Sequence, residues 1–494
     1  MDPRTPVLVG VGTASEHAEA TELMTLALRD AASDAGAPEI LEAIDRMAVP
    51  QGSWTYPDPA RLVAGAVGAR EVRTHLVELG IPQQGLINEA LSAILDGSSD
   101  VAVVVGGEAR RWARSADAVE TGQPDLVPDV VRRRTGALLE SVEVVTRLWD
   151  PVQQYAMIDN ALRAAEGLSI GEHRREVAEL CARFNGVAQG NPLAAFPTPM
   201  TAGEIDLASP ANRPLAFPYN KWHSTQWTVD QAAALLFCSQ QAAHRFGISS
   251  DRWIFPRVGI ESSHAVSLLR RERPDAWPAM GILGRAASTR IGRPVADAEF
   301  IEVYSCFPAA VRVQQRELGL DVHGTPTITG GMAFAGGPFN NFVLQTTAAV
   351  ARALRAEPGS LGVVTTVSGL LTKPGLGVWS AEPDGQAPLL GDFGAEAERA
   401  TDTRDVVGTL GEYTGAATVV TYTVTPGGRD GASGPGAPQG PGGAQWARTV
   451  VVGDTEDGRR CVAISEDAEL AVFATTHELI GRPVVVKDGS FHLG

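Results

Sequence analysis

Two stretches of this 494-residue chain share an order of parts and nearly a length. Residues 80–109 read GIPQQGLINEALSAILDGSSDVAVVVGGEA: a Gly/Pro turn, a helical pattern, then a continuous apolar run over 101–105. Residues 336–370 repeat that order, with Gly336-Gly337-Pro338, a helical pattern over 340–356 and the run LGVVTTVSG. Apolar runs without alternation are what strands buried on both faces need. We read the two units as halves of an internally duplicated α/β fold. Any two turn–helix–strand units look somewhat alike, so the rest of the pattern must agree. The second unit opens on TGGMAFAGGPFNN (329–341), whose glycines allow close backbone approach. The helix after it is expected to present unpaired N–H groups to an anionic or oxyanionic group.

The chain before the first unit alternates strands and helices. A strand is predicted over 6–12, a helix over 21–36, a strand over 45–50, and a helix over 58–68 with Asp58 as N-cap and Pro59 at its first position. That alternation predicts a parallel sheet covered on both faces. From 110 to about 220 it stops. This arginine-rich excursion carries helical patterns over 150–166 and 171–188 and ends in the proline-rich 192–218. Long excursions from a rigid core often carry binding residues, so it is a candidate flap. A strand over 231–238 and a helix over 239–247 close the first half. The second half offers a strand at 257–260, a helix at 276–292, a strand at 299–304 and a helix at 308–319.

Past residue 400 the pattern becomes β-branched and alternating, at 416–424 and 446–452, around the Gly/Pro-rich stretch 426–443. Further strands are predicted at 460–464, around Ala471 and at 484–486, with turns at Asp457-Gly458 and Asp488-Gly489. The domain plan is therefore an N-terminal half over 1–250, a C-terminal half over 251–385 and a small all-β domain over 405–494. The last is read as a barrel of the oligonucleotide/oligosaccharide-binding type.

A hydrophobic content of 44% and charged content of 20% are those of an ordinary globular protein. No apolar run reaches the roughly 18 residues a membrane span needs, and the acidic N-terminus does not read as a signal peptide. The formal charge of −17 argues against nucleic acid or anionic membrane as partner. The four cysteines are widely spaced with no CxxC, which fits reduced thiols in a cytoplasmic protein and no metal framework. Gly10-Val11-Gly12 hints at a dinucleotide fingerprint, but Ser15 stands at its third glycine and no acidic residue follows the second strand. P-loop, zincin and nucleophile-elbow motifs are absent.

The strand-turn VAVVVGGEA, the segment TVDQAAALLFCSQQAAHRFG, the block GGMAFAGGP and the duplicated layout together resemble the thiolase superfamily. Within it the blocks look like its sterol-carrier and thiolase-like branch with an additional C-terminal β-domain, whose members are often named acetyl-CoA acetyltransferase. It covers residues 7–380 and, more weakly, the tail. The resemblance implies a five-layer αβαβα core, coenzyme A or an acyl-CoA as ligand rather than a bound cofactor, and a place in lipid metabolism. It also implies either a homodimer or a partner enzyme met through the β-domain.

The resemblance further implies four catalytic positions, and each is altered. The nucleophile's turn is Gly80-Ile81-Pro82-Gln83-Gln84-Gly85, without cysteine. The asparagine position is Tyr304 and the histidine position is Gly337. The acid/base cysteine is replaced by Val367, in Val367-Ser368-Gly369. Losing the nucleophile alone removes covalent catalysis, so ordinary thiolase activity is expected to be absent. The expected ligand contacts are Gly336, Gly337, Pro338, Asn340, Ser368 and Gly369. Candidate reactive groups are Cys306, whose thiol pKa a helix N-terminus would lower if it faced the pocket, with Tyr304 and His223. A structural thiol and a core histidine are the competing readings, and Asn340 or Asn341 is a routine helix cap. The resemblance also implies that a loop excursion holds the adenosine and pantetheine, which makes Arg110, Arg111 and Arg114, with Arg132, Arg133 and Arg134, candidates, solvated arginines being the competing reading. A non-catalytic scaffold and an acyltransferase using Cys306 are the alternative functions.

Overall fold

The computed structural model describes residues 2–116, 118–122, 125–426 and 445–494. Its first half runs β1 (Pro6–Ala14), α1 (Ala20–Asp34), β2 (Arg46–Pro50), α2 (Pro59–Val67), β3 (Arg73–Val77), α3 (Gln83–Leu95) and β4 (Val101–Ala109). The excursion follows as β5 (Val130–Arg132), α4 (Ser141–Val145), α5 (Pro151–Ala165), α6 (Ile170–Gly190), α7 (Ala202–Asp206), β6 (Pro214–Ala216) and β7 (Tyr219–Asn220). The chain then returns through β8 (Asp230–Ser239) and α8 (Gln240–Arg245). As expected, Asp58 caps α2, accepting from the Arg61 N–H at 3.0 Å.

The second half runs β9 (Phe255–Glu261), α9 (Pro278–Ile291), β10 (Phe300–Glu302), α10 (Pro308–Leu318), α11 (Gly331–Phe334) and α12 (Phe342–Ala356). It ends with β11 (Leu361–Ser368), β12 (Lys373–Ser380), β13 (Leu389–Asp392) and α13 (Gly394–Ala400). The first sheet has the order β1-β8-β4-β2-β3-β5 and the second β10-β11-β12-β9-β13. The duplication lies in their shared connectivity. In each, the half's first strand (β1 or β9) pairs antiparallel with a long return strand (β8 or β12), which pairs antiparallel with the strand after the central helix (β4 or β11), which pairs parallel with the second strand (β2 or β10). The sheets are thus mixed, not parallel as expected. The long β8 and β12 return antiparallel, a direction that apolar patterning does not encode. Strand β3 has no counterpart in the second half, where the glycine stretch 329–341 is folded inward instead.

Helices α3 and α12 lie between the sheets. Leu86, Ile87, Leu91 and Ile94 of α3 and Val343, Leu344, Val350 and Leu354 of α12 share one core with both sheets. A helix apolar on nearly all sides is stable only when buried on all sides, and this layer supplies that burial. Helices α1 and α2 cover the outer face of the first sheet, and α9 and α10 that of the second. The result is the αβαβα sandwich.

The tail forms a closed barrel from β14 (Gly415–Pro426), β15 (Trp446–Thr455), β16 (Arg460–Ser465), β17 (Pro483–Lys487) and β18 (Ser490–Leu493), in the order β14-β15-β16-β18-β17. Ala471, expected in a strand, lies in α14 (Ala468–Ala474), where Asp467 caps the helix and Ala471 and Ala474 plug the barrel core. Beyond Pro426, the Gly/Pro-rich stretch 426–443 lies outside the described residues.

The excursion joins the barrel to the core. Asn160 of α5 donates to the carbonyls of Phe217 and Tyr422, Thr421 donates to the Met157 carbonyl, and the buried Arg163 pairs with Glu478. On its other side α5 carries Asp159, fully buried, 3.1 Å from His173 Nε2 of α6 and 3.0 Å from Arg312 Nη1 of α10, and accepting from the Tyr219 hydroxyl at 2.7 Å. Burial alone would raise its pKa, but His173, Arg312 and Tyr219 hold it below the ordinary carboxylate range. Asp159→Ala leaves the buried His173 and Tyr219 without their shared acceptor and Arg312 with only Glu166 and Glu176. The expected loss is about 3–5 kcal/mol in denaturant unfolding, with the fluorescence of the excursion tryptophans lost before that of the core.

Candidate functional site

The glycine stretch is held by one buried carboxylate. Glu302, at the end of β10 and 1% exposed, accepts from Thr327 Oγ1 at 2.8 Å, the Ile328 N–H at 2.8 Å, the Thr329 N–H at 3.0 Å and Thr329 Oγ1 at 3.0 Å. These four donors turn 327–329 inward and deliver Gly330 against α6. A Cβ at Gly330 would lie 2.4 Å from the Ala188 side chain, and its φ of +98° favours glycine in any case. Ser305 Oγ then accepts from the Met332 N–H at 3.1 Å and seats α11.

Beside this loop a cavity of about 1330 Å³ opens where core, excursion and barrel meet. The core contributes Tyr304, Cys306, Gly337, Phe339, Val367, Ser368, Gly369 and Leu370. The excursion adds Arg147, Trp149, Gln153, Tyr155, Arg213, Thr225 and Trp227 among others, and the barrel adds Thr425, Pro426, Arg448 and Glu466. Of the five non-glycine residues with positive φ among the described residues, Arg147 (62°), Phe339 (43°) and Leu370 (63°) line this cavity, and Leu371 (59°) follows Leu370. Backbone strain of this kind gathers at ligand clamps and active sites.

The four altered positions fare differently. Tyr304, Gly337 and Val367 line the cavity together; the nucleophile's turn does not. Gln83, 3% exposed, donates to Asn340 Oδ1 at 2.7 Å, and its Oε1 accepts the Val343 N–H at 3.0 Å. The N-terminus of α12, expected to await an anionic ligand, is thus met by a side chain of the same protein. Asn340 does not cap that helix. Its amide spans to the Gln51 carbonyl at 3.2 Å, and Asn341 makes no side-chain cap. At Gly337 the space for a larger side chain is already filled, because a Cβ there would lie 1.9 Å from Thr225 Oγ1.

Of the candidate reactive groups, Tyr304 is half-buried in the cavity wall, edge-on to Phe342 at 5.7 Å. Cys306 also lines it, but the expected lowering of its pKa does not occur. Burial pushes the thiol up to about 12, overriding the Tyr155 hydroxyl and the backbone N–H groups of Phe307 and Cys306 beside it. Such a thiol is not a nucleophile at neutral pH. His223 is outside the cavity lining, 3% exposed, with Nδ1 accepting the Asn220 N–H at 3.0 Å. Burial lowers its pKa to about 3, so it stays neutral and structural. Ser368 and Gly369 line the cavity with Gly337, whereas Gly336, Pro338 and Asn340 do not.

None of the arginines singled out in the sequence lines the cavity, although Arg110 adjoins it through Trp227, and four of the six are engaged with other side chains. Arg110 stacks on Trp227 at 3.6 Å, Arg111 pairs with Asp230 at 3.0 Å, Arg132 with Glu89 at 2.9 Å, and Arg133 with Glu78 at 2.7 Å. The cations at the cavity are Arg147, Arg213 and Arg448, which no motif marks. Among the described residues no group of histidine, cysteine and carboxylate side chains could hold a metal ion. No helix there is long and apolar enough to cross a membrane.

Glu302→Gln keeps the loop's geometry, since threonine hydroxyls can turn to accept from an amide. Burial raises Glu302 to about 7 despite its four donors. A raised carboxyl contributes stability that is full below its unfolded value, near 4.3, and is lost as pH rises through 7. Urea unfolding of the wild type should therefore weaken between about pH 4.5 and 7, and Glu302→Gln should flatten part of that slope. At the filled histidine position, Gly337→Ala is expected to cost about 1–3 kcal/mol in the wild type and clearly less in Thr225→Ala, a coupling that a double-mutant cycle reads directly.

No protein-family model matches the sequence, and no curated protein matches it. Solved structures do. Over 100% of both chains the fold is similar to a monomeric SCP2-thiolase-like protein type 1 from Mycobacterium smegmatis, with TM-score 0.82 and 28% identity. The Ltp2-ChsH2(DUF35) aldolase (0.57, 18%) covers 77% of this chain and 99% of its own. The dimeric peroxisomal thiolase of Saccharomyces cerevisiae (0.54, 15%) covers 77% and 98%. The duplicated sheets and these likenesses agree: the chain has a thiolase-like fold and resembles an SCP2-thiolase-like protein from end to end, barrel included.

Proposed function

We propose that this protein binds an acyl thioester of the coenzyme A type in the shared cavity and does not carry out thiolase chemistry. The observation that carries the reading is the pairing of a kept cavity with refilled catalytic positions. Tyr304, Gly337 and Val367 still line one space, while Gln83 and Thr225 occupy what the resemblance assigns to a nucleophile and a base. The cavity combines apolar walls with a cationic mouth, the two needs of an acyl chain joined to a phosphate-bearing handle. Its volume exceeds the roughly 300–1,000 Å³ of ordinary small-molecule sites, which suits a long ligand. The buried Cys306 thiol does not support acyl transfer from that residue.

Within this reading the barrel is of the oligonucleotide/oligosaccharide-binding type. Its strand order and the helix between its third and fourth strands support that assignment. It serves as part of the site rather than as a dock for another enzyme, because buried bonds fasten it to α5. The outer edge of β3 is paired by β5 of the same chain, which supports a protein acting without a sheet-to-sheet homodimer. Four buried free cysteines fit a reducing, cytoplasmic setting, and the ligand class fits lipid metabolism.

Calorimetric titration with acetyl-CoA and dodecanoyl-CoA should give heat. Saturation should also raise the melting temperature, by an amount matching about 2.7 kcal/mol at a hundredfold excess over Kd. Acetoacetyl-CoA with free CoA should show no thiolysis. Absence of both heat and thermal shift at millimolar ligand would end this reading.

A further inference from the structure

We propose that the barrel supplies one jaw of an anion clamp at the cavity mouth. Arg448 of β15 acts with Arg147 and Arg213 of the excursion to hold the phosphate-bearing end of the ligand, and Glu466 occupies Arg448 while the cavity is empty. This rests on the acyl-thioester reading above and adds to it which residues meet the acidic end.

All three arginines line the same cavity, and they come from units more than 200 residues apart in sequence. Arg147 and Arg213 are exposed at the mouth, and among the described residues neither has a carboxylate partner. Arg147 sits there at a φ of +62°, a conformation that a side chain this large adopts only when the surroundings impose it. Arg448 is half-buried. Its Nη2 donates to the Thr146 carbonyl at 3.0 Å, which points the guanidinium at the turn carrying Arg147, and its Nε lies 3.3 Å from Glu466 Oε1. Glu466 itself is 72% exposed, so that pair is screened and readily exchanged for a better anion. Burial depresses Arg448, Glu466 offsets this and Arg147 adds to it, as expected of neighbouring like charges.

The remaining acid of the lining, Asp150, is engaged as the cap of α5, accepting from the Val152 N–H at 3.2 Å. Three guanidiniums thus face one opening with a single loosely held carboxylate among them. Guanidinium forks match phosphate oxygens bidentately, so a phosphate group both neutralises the mouth and releases Glu466. Trp149 and Trp227, 53% and 45% exposed at the same opening, offer flat apolar faces beside the charges.

Four probes separate the sources of negative charge: dodecanoyl-CoA, CoA, dodecanoate and the uncharged S-dodecanoyl-N-acetylcysteamine. Dodecanoyl-CoA should bind the wild type best, with affinity falling as salt rises from 50 to about 500 mM. Arg448→Ala should weaken dodecanoyl-CoA about five- to tenfold and flatten that salt dependence, while leaving the uncharged thioester unchanged. Glu466→Gln should strengthen dodecanoyl-CoA about two- to fivefold. Arg147→Ala, at an exposed side chain, repeats the Arg448 test without touching the barrel's packing. Equal binding of dodecanoyl-CoA by wild type, Arg448→Ala and Arg147→Ala at low salt would overturn the clamp. Tight binding of dodecanoate with no preference for the CoA ester would overturn it too, because a single carboxylate would then suffice. If neither thioester binds the wild type, the acyl-thioester reading fails, and the clamp with it.

Discussion

A carboxylate removed from water must be surrounded by donors, and Asp159 turns that requirement into architecture. Its partners come from three other places in the chain: His173 on α6, Tyr219 at the return towards the core, and Arg312 on α10. The Tyr219 hydroxyl that donates to Asp159 also accepts the Ala309 N–H at 3.1 Å, so the first turn of α10 is drawn into the same knot. Phe307, one residue before α10, stacks on Tyr155 and Tyr219 at 4.6 and 5.9 Å. An excursion of about a hundred residues thereby acquires a fixed seat beside Cys306 and Phe307. The barrel inherits that seat, because it is fastened to the opposite side of α5. Arg448 reaches the cavity mouth only at the end of this chain of contacts.

The core side of the cavity rests on a second buried acid. Glu302 gathers four donors from 327–329 and so fixes the glycine stretch where the first half of the fold has β3. In the duplicated plan this is the place where the halves diverge, and the site lies there. The catalytic positions implied by the resemblance are not left empty by their substitutions. Thr225 stands in the space beside Gly337, Gln83 closes the N-terminus of α12, and Asn340 ties Gln83 to the carbonyl of Gln51. A site that had merely lost its side chains would leave gaps at these points. Here the gaps are hydrogen-bonded or filled, while the larger cavity in front of them is retained.

The sequence made the sandwich legible because its buried strands are long apolar runs and its helices carry clear caps, as at Asp58 and Gly319. It concealed the direction of β8 and β12, since an apolar run buried on both faces reads the same either way. It concealed α14 because Ala468–Ala474 is short and apolar, and only its Asp467 cap distinguishes it from a strand. The core half of the site was visible through Tyr304, Gly337, Ser368 and Gly369, which belong to blocks of recognisable composition. The other half was not. Arg147, Arg213, Arg448 and Thr225 meet only through tertiary docking of the excursion and barrel, and nothing in their local sequence distinguishes them from the arginines that pair elsewhere. At Cys306 the place before α10 was legible, whereas the burial that raises its thiol, and so favours the structural reading, was not.

Strain separates a cavity kept for use from one left over. Arg147, Phe339, Leu370 and Leu371 each hold a left-handed conformation that costs a side-chain-bearing residue on the order of 1–3 kcal/mol. Any of these positions could relax to glycine or to an ordinary turn if only the fold required them. Three of them shape the cavity wall from opposite sides, one from the excursion and two from core loops, and the fourth adjoins Leu370. A chain that had given up its pocket along with its catalytic side chains would be free to shed that cost and close the space with larger apolar groups. This one keeps about 1330 Å³ open behind strained walls, with Arg147 and Arg213 at the entrance, neither paired with a carboxylate among the described residues. A pre-shaped cavity, charged at the end where a ligand is first met, is what the binding role proposed above requires.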